Sequence, residues 1–168
     1  MLKKTTHDSE LPAVGQQVIT ACAFIHYNFG GIKKVFLCKR AETKKFLPGI
    51  YEFPGGHINF GEEIVEGLQR EVYEELGMKV RVGDSFYTFA YTNPIKGSHS
   101  LEVVYFATFS DPIEKIKINS EDHATYRWFS ESEIMSKAIE LGKNSEDEEI
   151  KAMQKGFSLL NSHAPNFG

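Results

Sequence analysis

Between residues 17 and 109 short apolar runs alternate with polar turns, and a single amphipathic segment interrupts them. Val18-Ile19-Thr20-Ala21-Cys22-Ala23-Phe24-Ile25 is apolar at nearly every position, the pattern of a strand buried on both faces. Asn28-Phe29-Gly30-Gly31 then reads as a turn into a hairpin partner over 34–39. A loop over 41–49 leads to a short strand at 51–53, which enters Pro54-Gly55-Gly56, where two glycines permit close backbone approach. Segments 79–82, 85–92 and 101–109 are rich in β-branched and aromatic residues and predict three more strands. The polar loop 93–99 separates the last two and suits a ligand contact, and 127–129 predicts a short final strand.

The amphipathic segment changes the period. Val65, Leu68, Val72 and Leu76 recur at helical spacing, which predicts a helix from near Glu62 to Gly77, a residue able to take the left-handed capping conformation. Gly67 inside it costs about 1 kcal/mol relative to alanine and marks a place where another backbone packs closely. Ser130 and Glu133 have capping-box spacing and predict a helix that Gly142 closes. Ser145 and Glu148 repeat the spacing before a last helix with the stripe Ile150, Met153, Phe157 and Leu160. Strands interleaved with these helices predict an α/β fold, a mixed sheet covered on both faces. The predicted organisation is a tail over 1–16, one domain over 17–162, and a second tail over 163–168.

Composition narrows the function classes. The chain has 168 residues, 41% hydrophobic, enough for one well-buried core. A formal net charge of −4 offers no basic footprint for duplex nucleic acid or for an anionic membrane. Cys22 and Cys38 sit in apolar strand patterns and read as core thiols. With no apolar leader region near Met1 and no long uncharged apolar run, the expected location is cytoplasmic.

The candidate chemistry lies on the first helix. At roughly 100° per residue, Glu71, Glu74 and Glu75 fall within about 100° of arc, so three carboxylates repel one another unless a cation neutralises them. An oxygen-only donor set suits a hard cation such as Mg²⁺ or Mn²⁺. A solvated acidic helix face is the competing reading, and composition alone leaves both open. The glutamates lie about a quarter turn from the apolar stripe, on the border of the buried side, and Arg70 can fix a carboxylate through a bidentate pair.

Gly56, Glu62, Arg70, Glu71, Glu74, Glu75 and Gly77, with aliphatic Val72 and Met78, match at every spacing the signature segment of the Nudix hydrolases, and the chain resembles that family over roughly 17–142. The flanking Cys38-Lys39-Arg40-Ala41, the run from Pro48 to Gly56 and the Trp128-Phe129 pair strengthen the resemblance. Asn59 departs from it, since relatives commonly carry an acid there. The resemblance implies a Nudix-type α/β/α sandwich and hydrolysis of a nucleoside diphosphate linked to another group. It implies Mg²⁺ held by Glu71, Glu74, Glu75 and the Gly55 carbonyl, with Mn²⁺ as an alternative cation, and a homodimer as the oligomeric expectation. Arg70 would then orient a glutamate, while Gly56 and Glu62 support the loop. The base that takes the proton from water would be Glu74 or Glu75 on the helix, or Glu121 from a later loop. Arg40 matches a position that contacts nucleotide or phosphate in relatives, and Phe24 and Tyr91 are candidates to stack a base, with Phe53 and Phe89 beside them. Pro94 lies where the ADP-ribose-hydrolysing branch has a proline. The expected substrate is therefore a nucleoside triphosphate or related small nucleotide, with ADP-ribose or an ADP-sugar as the alternative. A nucleotide sensor without catalysis is disfavoured, because every signature glutamate is retained.

Overall fold

A computed structural model describes residues 14–137, 140–163 and 165–167. Among the described residues, seven strands form one mixed sheet. They are β1 (Gln17–Phe29), β2 (Ile32–Arg40), β3 (Tyr51–Glu52), β4 (Gly55–His57), β5 (Val80–Asn93), β6 (Ser98–Phe109) and β7 (His123–Ser130). The order is β3-β2-β1-β6-β5, with β4 also paired to β1 and β7 to β2. Strand β1 carries the sheet. Over residues 17–25 it runs parallel to β6, over 20–22 it pairs antiparallel with β4, and over 26–29 it pairs antiparallel with β2.

Alternation along β1 sorts the core into two layers. Ala21, Ala23 and Ile25 pack with Leu68, Val72 and Leu76 of helix α1 (Ile64–Leu76). Cys22 and Phe24 pack on the other face with Ile150, Met153, Phe157 and Leu160 of helix α3 (Glu148–Ser162). Helix α2 (Glu131–Ser136) adds Ile134 to that second layer. The architecture is the α/β/α sandwich that the resemblance implied. Both cysteines are buried free thiols. No helix among the described residues is long and apolar enough to cross a membrane.

Several boundaries differ from the periodicity. Segments 79–82 and 85–92 are one strand, because register shifts between Val82 and Tyr87 absorb the irregular residues without breaking the ladder. The last strand extends over His123–Ser130, well beyond 127–129. Helix α1 starts at Ile64, not Glu62, and Val65 is exposed where the stripe placed it inward. At Gly67 an added Cβ would meet the Ile58 and Glu62 side chains, not a backbone. The Ser130–Glu133 capping box is formed in both directions, but α2 ends at Ser136, with Lys137 as its C-cap. Helix α3 is capped by Asp147, which accepts from the Glu149 amide, so Ser145 plays no such part. Of the two predicted tails, 1–13, 164 and 168 lie outside the described residues. Phe167 is not loose: its carbonyl accepts from Arg81 at 3.2 Å and its ring lies 6.0 Å from His26.

Candidate active site

Helix α1 presents its carboxylates to the loop that precedes it. Glu71 and Glu75 are 3% and 2% exposed, facing the sheet, while Glu74 is half-buried at the rim. Glu75 Oε2 accepts the Gly55 N–H at 3.0 Å, which ties the last turn of the helix to β4. Gly55 is required there. Its φ is +145°, and a Cβ would collide with the Ala21 carbonyl of the neighbouring strand.

Arg70 is the hub of the loop-helix unit. Its Nε and Nη2 donate to the two oxygens of Glu62 at 2.8 and 3.0 Å, its Nη1 donates to Glu71 Oε1 at 2.7 Å, and its Nη2 also donates to the His57 carbonyl at 2.9 Å. Glu74 Oε2 is 3.4 Å away. The bidentate pair with Arg70 holds the Glu62 carboxyl below its usual range, and the same bonds push the guanidinium up. Glu62 closes the loop by accepting the Asn59 N–H at 2.9 Å. Glu62 thus braces the loop from just outside the helix.

Among the described residues, no three metal-ligating side chains converge on one point, because Glu71 is turned to Arg70 and Glu75 to the Gly55 amide. The donors themselves suit a hard cation: buried carboxylate oxygens on adjacent turns, beside a loop whose backbone approaches closely.

On the α3 side of the sheet, Gly55, Gly56 and His57 border a cavity of about 270 Å³. Arg40 and Tyr91 line it, as do Phe53 and Phe89. Arg40 is 6% exposed and engaged by protein: Nη1 donates to Glu52 Oε1 at 3.0 Å and Nε to the Phe46 carbonyl at 3.0 Å, which fixes the 41–49 loop over the cavity. Burial and the nearby Glu102 carboxylate push the Tyr91 phenol up, so it remains a hydroxyl.

Two expected contacts are not there. Phe24 is wholly buried and packs edge-on against Phe157 and Phe106 at 5.2 and 5.6 Å, so it is core and does not reach the cavity. Pro94 is exposed and outside the cavity lining, although its neighbours Asn93 and Lys96 belong to it. Glu121 is also exposed and outside the lining. Its loop nevertheless docks on the end of α1, where the Lys117 and Asn119 amides donate to the Leu76 and Glu75 carbonyls at 2.9 and 2.8 Å.

Sequence reasoning missed Thr20, Glu102, Phe46, Lys143 and Glu149, all of which line the cavity. Ser98, Ser100 and Glu102 carried a readable sign, three polar residues at alternate positions where the strand continues inward as Val104 and Phe106. Lys143 and Glu149 carried none, since only the fold joins them. Lys143 Nζ lies 2.5 Å from Glu149 Oε2, and Glu149 Oε1 accepts the Phe53 N–H at 2.7 Å, pinning α3 to the loop before Gly55. Burial pushes Glu149 up to about 7 against the pull of Lys143.

The family profile described as the NUDIX domain matches residues 17–152. The chain belongs to the Nudix family. The nucleoside triphosphatase NudI of Escherichia coli is 30% identical over 107 residues, covering 59% of this chain and 74% of NudI. The human mitochondrial NAD(P)H pyrophosphatase is 31% identical over 97 residues, but the match spans 58% of this chain and only 27% of that protein. Among solved structures, the MutT protein of Methanosarcina mazei superposes with a TM-score of 0.66 at 24% identity, covering 88% of this chain and 96% of that one. The Ap4A hydrolase of Caenorhabditis elegans superposes at 0.69 with 19% identity, covering 87% and 99%. At these identities the structures establish the Nudix fold.

Proposed function

We propose that the chain is a pyrophosphohydrolase that cleaves a phosphoanhydride bond of a nucleoside triphosphate by attack of water at phosphorus. The observation that carries this reading is the cavity beside Gly55, Gly56 and His57, on the loop that Glu75 and Arg70 hold against the signature helix. A nucleoside seated there would direct its phosphate chain along that loop toward the carboxylates. Similarity to NudI, named a nucleoside triphosphatase, supports the same substrate class.

Glu71, Glu74, Glu75 and the Gly55 carbonyl would hold the divalent cation, and Mg²⁺ is the one their oxygen set suits. A cation held there would supply neutralisation of phosphate charge and a more acidic water. The chain's own residues do the positioning. Arg70 fixes Glu71 and, through Glu62 and the His57 carbonyl, the loop around Gly56. Burial of Glu71 and Glu75 excludes bulk solvent from their side of the helix and strengthens their electrostatic action. The proton from water passes to a carboxylate, with Glu74, Glu75 and Glu121 as the candidates. We place the protein in the cytoplasm with a small nucleotide as its partner. ADP-ribose or an ADP-sugar is the alternative, resting on the sequence placement of Pro94, which is exposed and outside the cavity.

Incubation with Mg²⁺ and a panel of nucleoside triphosphates, ADP-ribose, dinucleoside polyphosphates and coenzymes, with product identification, tests this reading. Pyrophosphate and a nucleoside monophosphate from a triphosphate are expected. AMP plus ribose phosphate from ADP-ribose as the preferred reaction, or binding without cleavage, would overturn it.

A further inference from the structure

The link from β3 to β4 runs through Phe53, Pro54 and Gly55, and proline leaves it only two backbone donors. β3 is the last strand on its side of the sheet, so one of its edges has no neighbouring strand. Phe53 and Gly55 are both buried, and each amide needs a protein partner. Each finds it in a side chain. Gly55 donates to Glu75 Oε2 of α1 at 3.0 Å, and Phe53 donates to Glu149 Oε1 of α3 at 2.7 Å. Pro54 contributes its carbonyl, which accepts the Ala23 N–H of β1 at 2.9 Å. The link is thus suspended between carboxylates of the two helical layers, with the central strand as its third point of attachment.

Glu149 is itself fixed from two directions. Lys143 Nζ meets its Oε2, and that lysine side chain, 3% exposed, also lies 3.7 Å from Asp147 Oδ1. Asp147 in turn accepts the Glu149 backbone N–H at 2.9 Å. The segment carrying Lys143 is stitched to the same strand, since the Leu141 carbonyl accepts the Tyr51 N–H at 3.1 Å and a Cβ at Gly142 would come within 2.7 Å of the Ile50 side chain. An ion pair so largely buried loses solvation that its attraction often does not offset, and apolar residues would pack α3 as well. What apolar residues cannot supply is an acceptor for the amide two residues before Gly55.

We propose that Glu149, oriented by Lys143, is a positioning residue for the cation site: through the Phe53 amide it sets where Gly55 presents its carbonyl to Glu71, Glu74 and Glu75. That role rests on the reading of those four residues as the cation's donors. Mn²⁺ affinity of the nucleotide-free protein, measured by electron paramagnetic resonance, tests it, with melting curves to establish that each variant is folded. Glu149→Gln loses the charge and keeps an acceptor, whereas Glu149→Asp keeps the charge and draws the acceptor back by one methylene. Mn²⁺ should bind Glu149→Gln within about 3-fold of the wild type and Glu149→Asp about 10-fold or more weaker, the scale on which groups behind metal ligands act. A role in charge balance or helix packing alone gives the opposite order, because Glu149→Gln removes the partner of a buried lysine. The double variant Lys143→Met with Glu149→Gln leaves no such lysine, should match Glu149→Gln, and takes its place if the single variant does not fold. Glu149→Asp binding Mn²⁺ as tightly as the wild type, or folded glutamine variants losing as much as Glu149→Asp, overturns the proposal, as does a wild type with no Mn²⁺ affinity. A wild type that binds Mn²⁺ but cleaves no triphosphate rejects the hydrolase reading, and the positioning role is then upheld or overturned by the same order of affinities.

Discussion

Arg70 concentrates more of the site's geometry than any other described side chain, because one planar fork reaches Glu62, Glu71 and the His57 carbonyl together. Lysine keeps the charge and loses the fork. Arg70→Lys is therefore expected to lower stability by about 2 kcal/mol, the scale of lost hydrogen bonds to charged groups, and to lower turnover as well, measured by denaturant unfolding and initial rates. Glu121 gives the opposite signature. It is exposed and its side chain makes no hydrogen bond or ion pair among the described residues, so Glu121→Gln should leave the melting temperature unchanged. If Glu121 takes the proton, turnover falls by about 100-fold; unchanged turnover assigns the base to the helix. The signature residues were legible in the sequence because their chemistry and spacing are local to one helix and its loop. Arg40 was legible as a cavity residue but not as the partner of Glu52, a contact made only when β2 and β3 pair.

At the scale of elements, the apolar stripes of α1 and α3 were readable wherever helical period and burial coincide, as at Leu68, Val72, Met153 and Phe157. They misled at the helix start, where Val65 turns outward. Strand β5 read as two strands because its bulges break the alternation that a period of two depends on. Phe24 shows the same limit in another form: an aromatic residue in an inward strand position is compatible with core and with ligand, and only the arrival of α3 decides. That arrival is tight. A Cβ at Gly156 would come within 2.5 Å of the Phe24 ring, which is itself wholly buried. Helix propensity alone favours Gly156→Ala by about 1 kcal/mol, whereas overpacking costs about 1–3 kcal/mol. The variant should be less stable than the wild type by chemical denaturation, and a gain in stability would show that the contact between α3 and β1 is loose.

Across the whole molecule, the sandwich puts its two halves to different uses: the α1 face carries the carboxylates, the α3 face carries the cavity, and β4 joins them at Gly55. The α3 layer also holds a half-buried titratable group. His26 lies among Phe24, Phe106 and Phe167, and burial, with Lys33 nearby, lowers its pKa from 6.5 to about 4. The unfolded chain then binds a proton that the folded chain refuses. This contribution is present in full above pH 6.5 and is lost as pH falls toward 4. Between pH 6.5 and 5, above the range where most carboxylates titrate, the melting temperature of the wild type should fall more steeply than that of His26→Phe; parallel curves would contradict the assignment.

In the proposed reaction the buried carboxylates of α1 drive cleavage of a nucleoside triphosphate. Pyrophosphate release from ATP, GTP, CTP and UTP in Mg²⁺, followed side by side for the wild type and Glu75→Gln, is the decisive measurement. A nucleoside monophosphate and pyrophosphate are expected from the wild type with at least one of the four, and a rate at least about 100-fold lower in a variant of undiminished fold. Equal rates in the two proteins, or no cleavage of any of the four by the wild type, would overturn it.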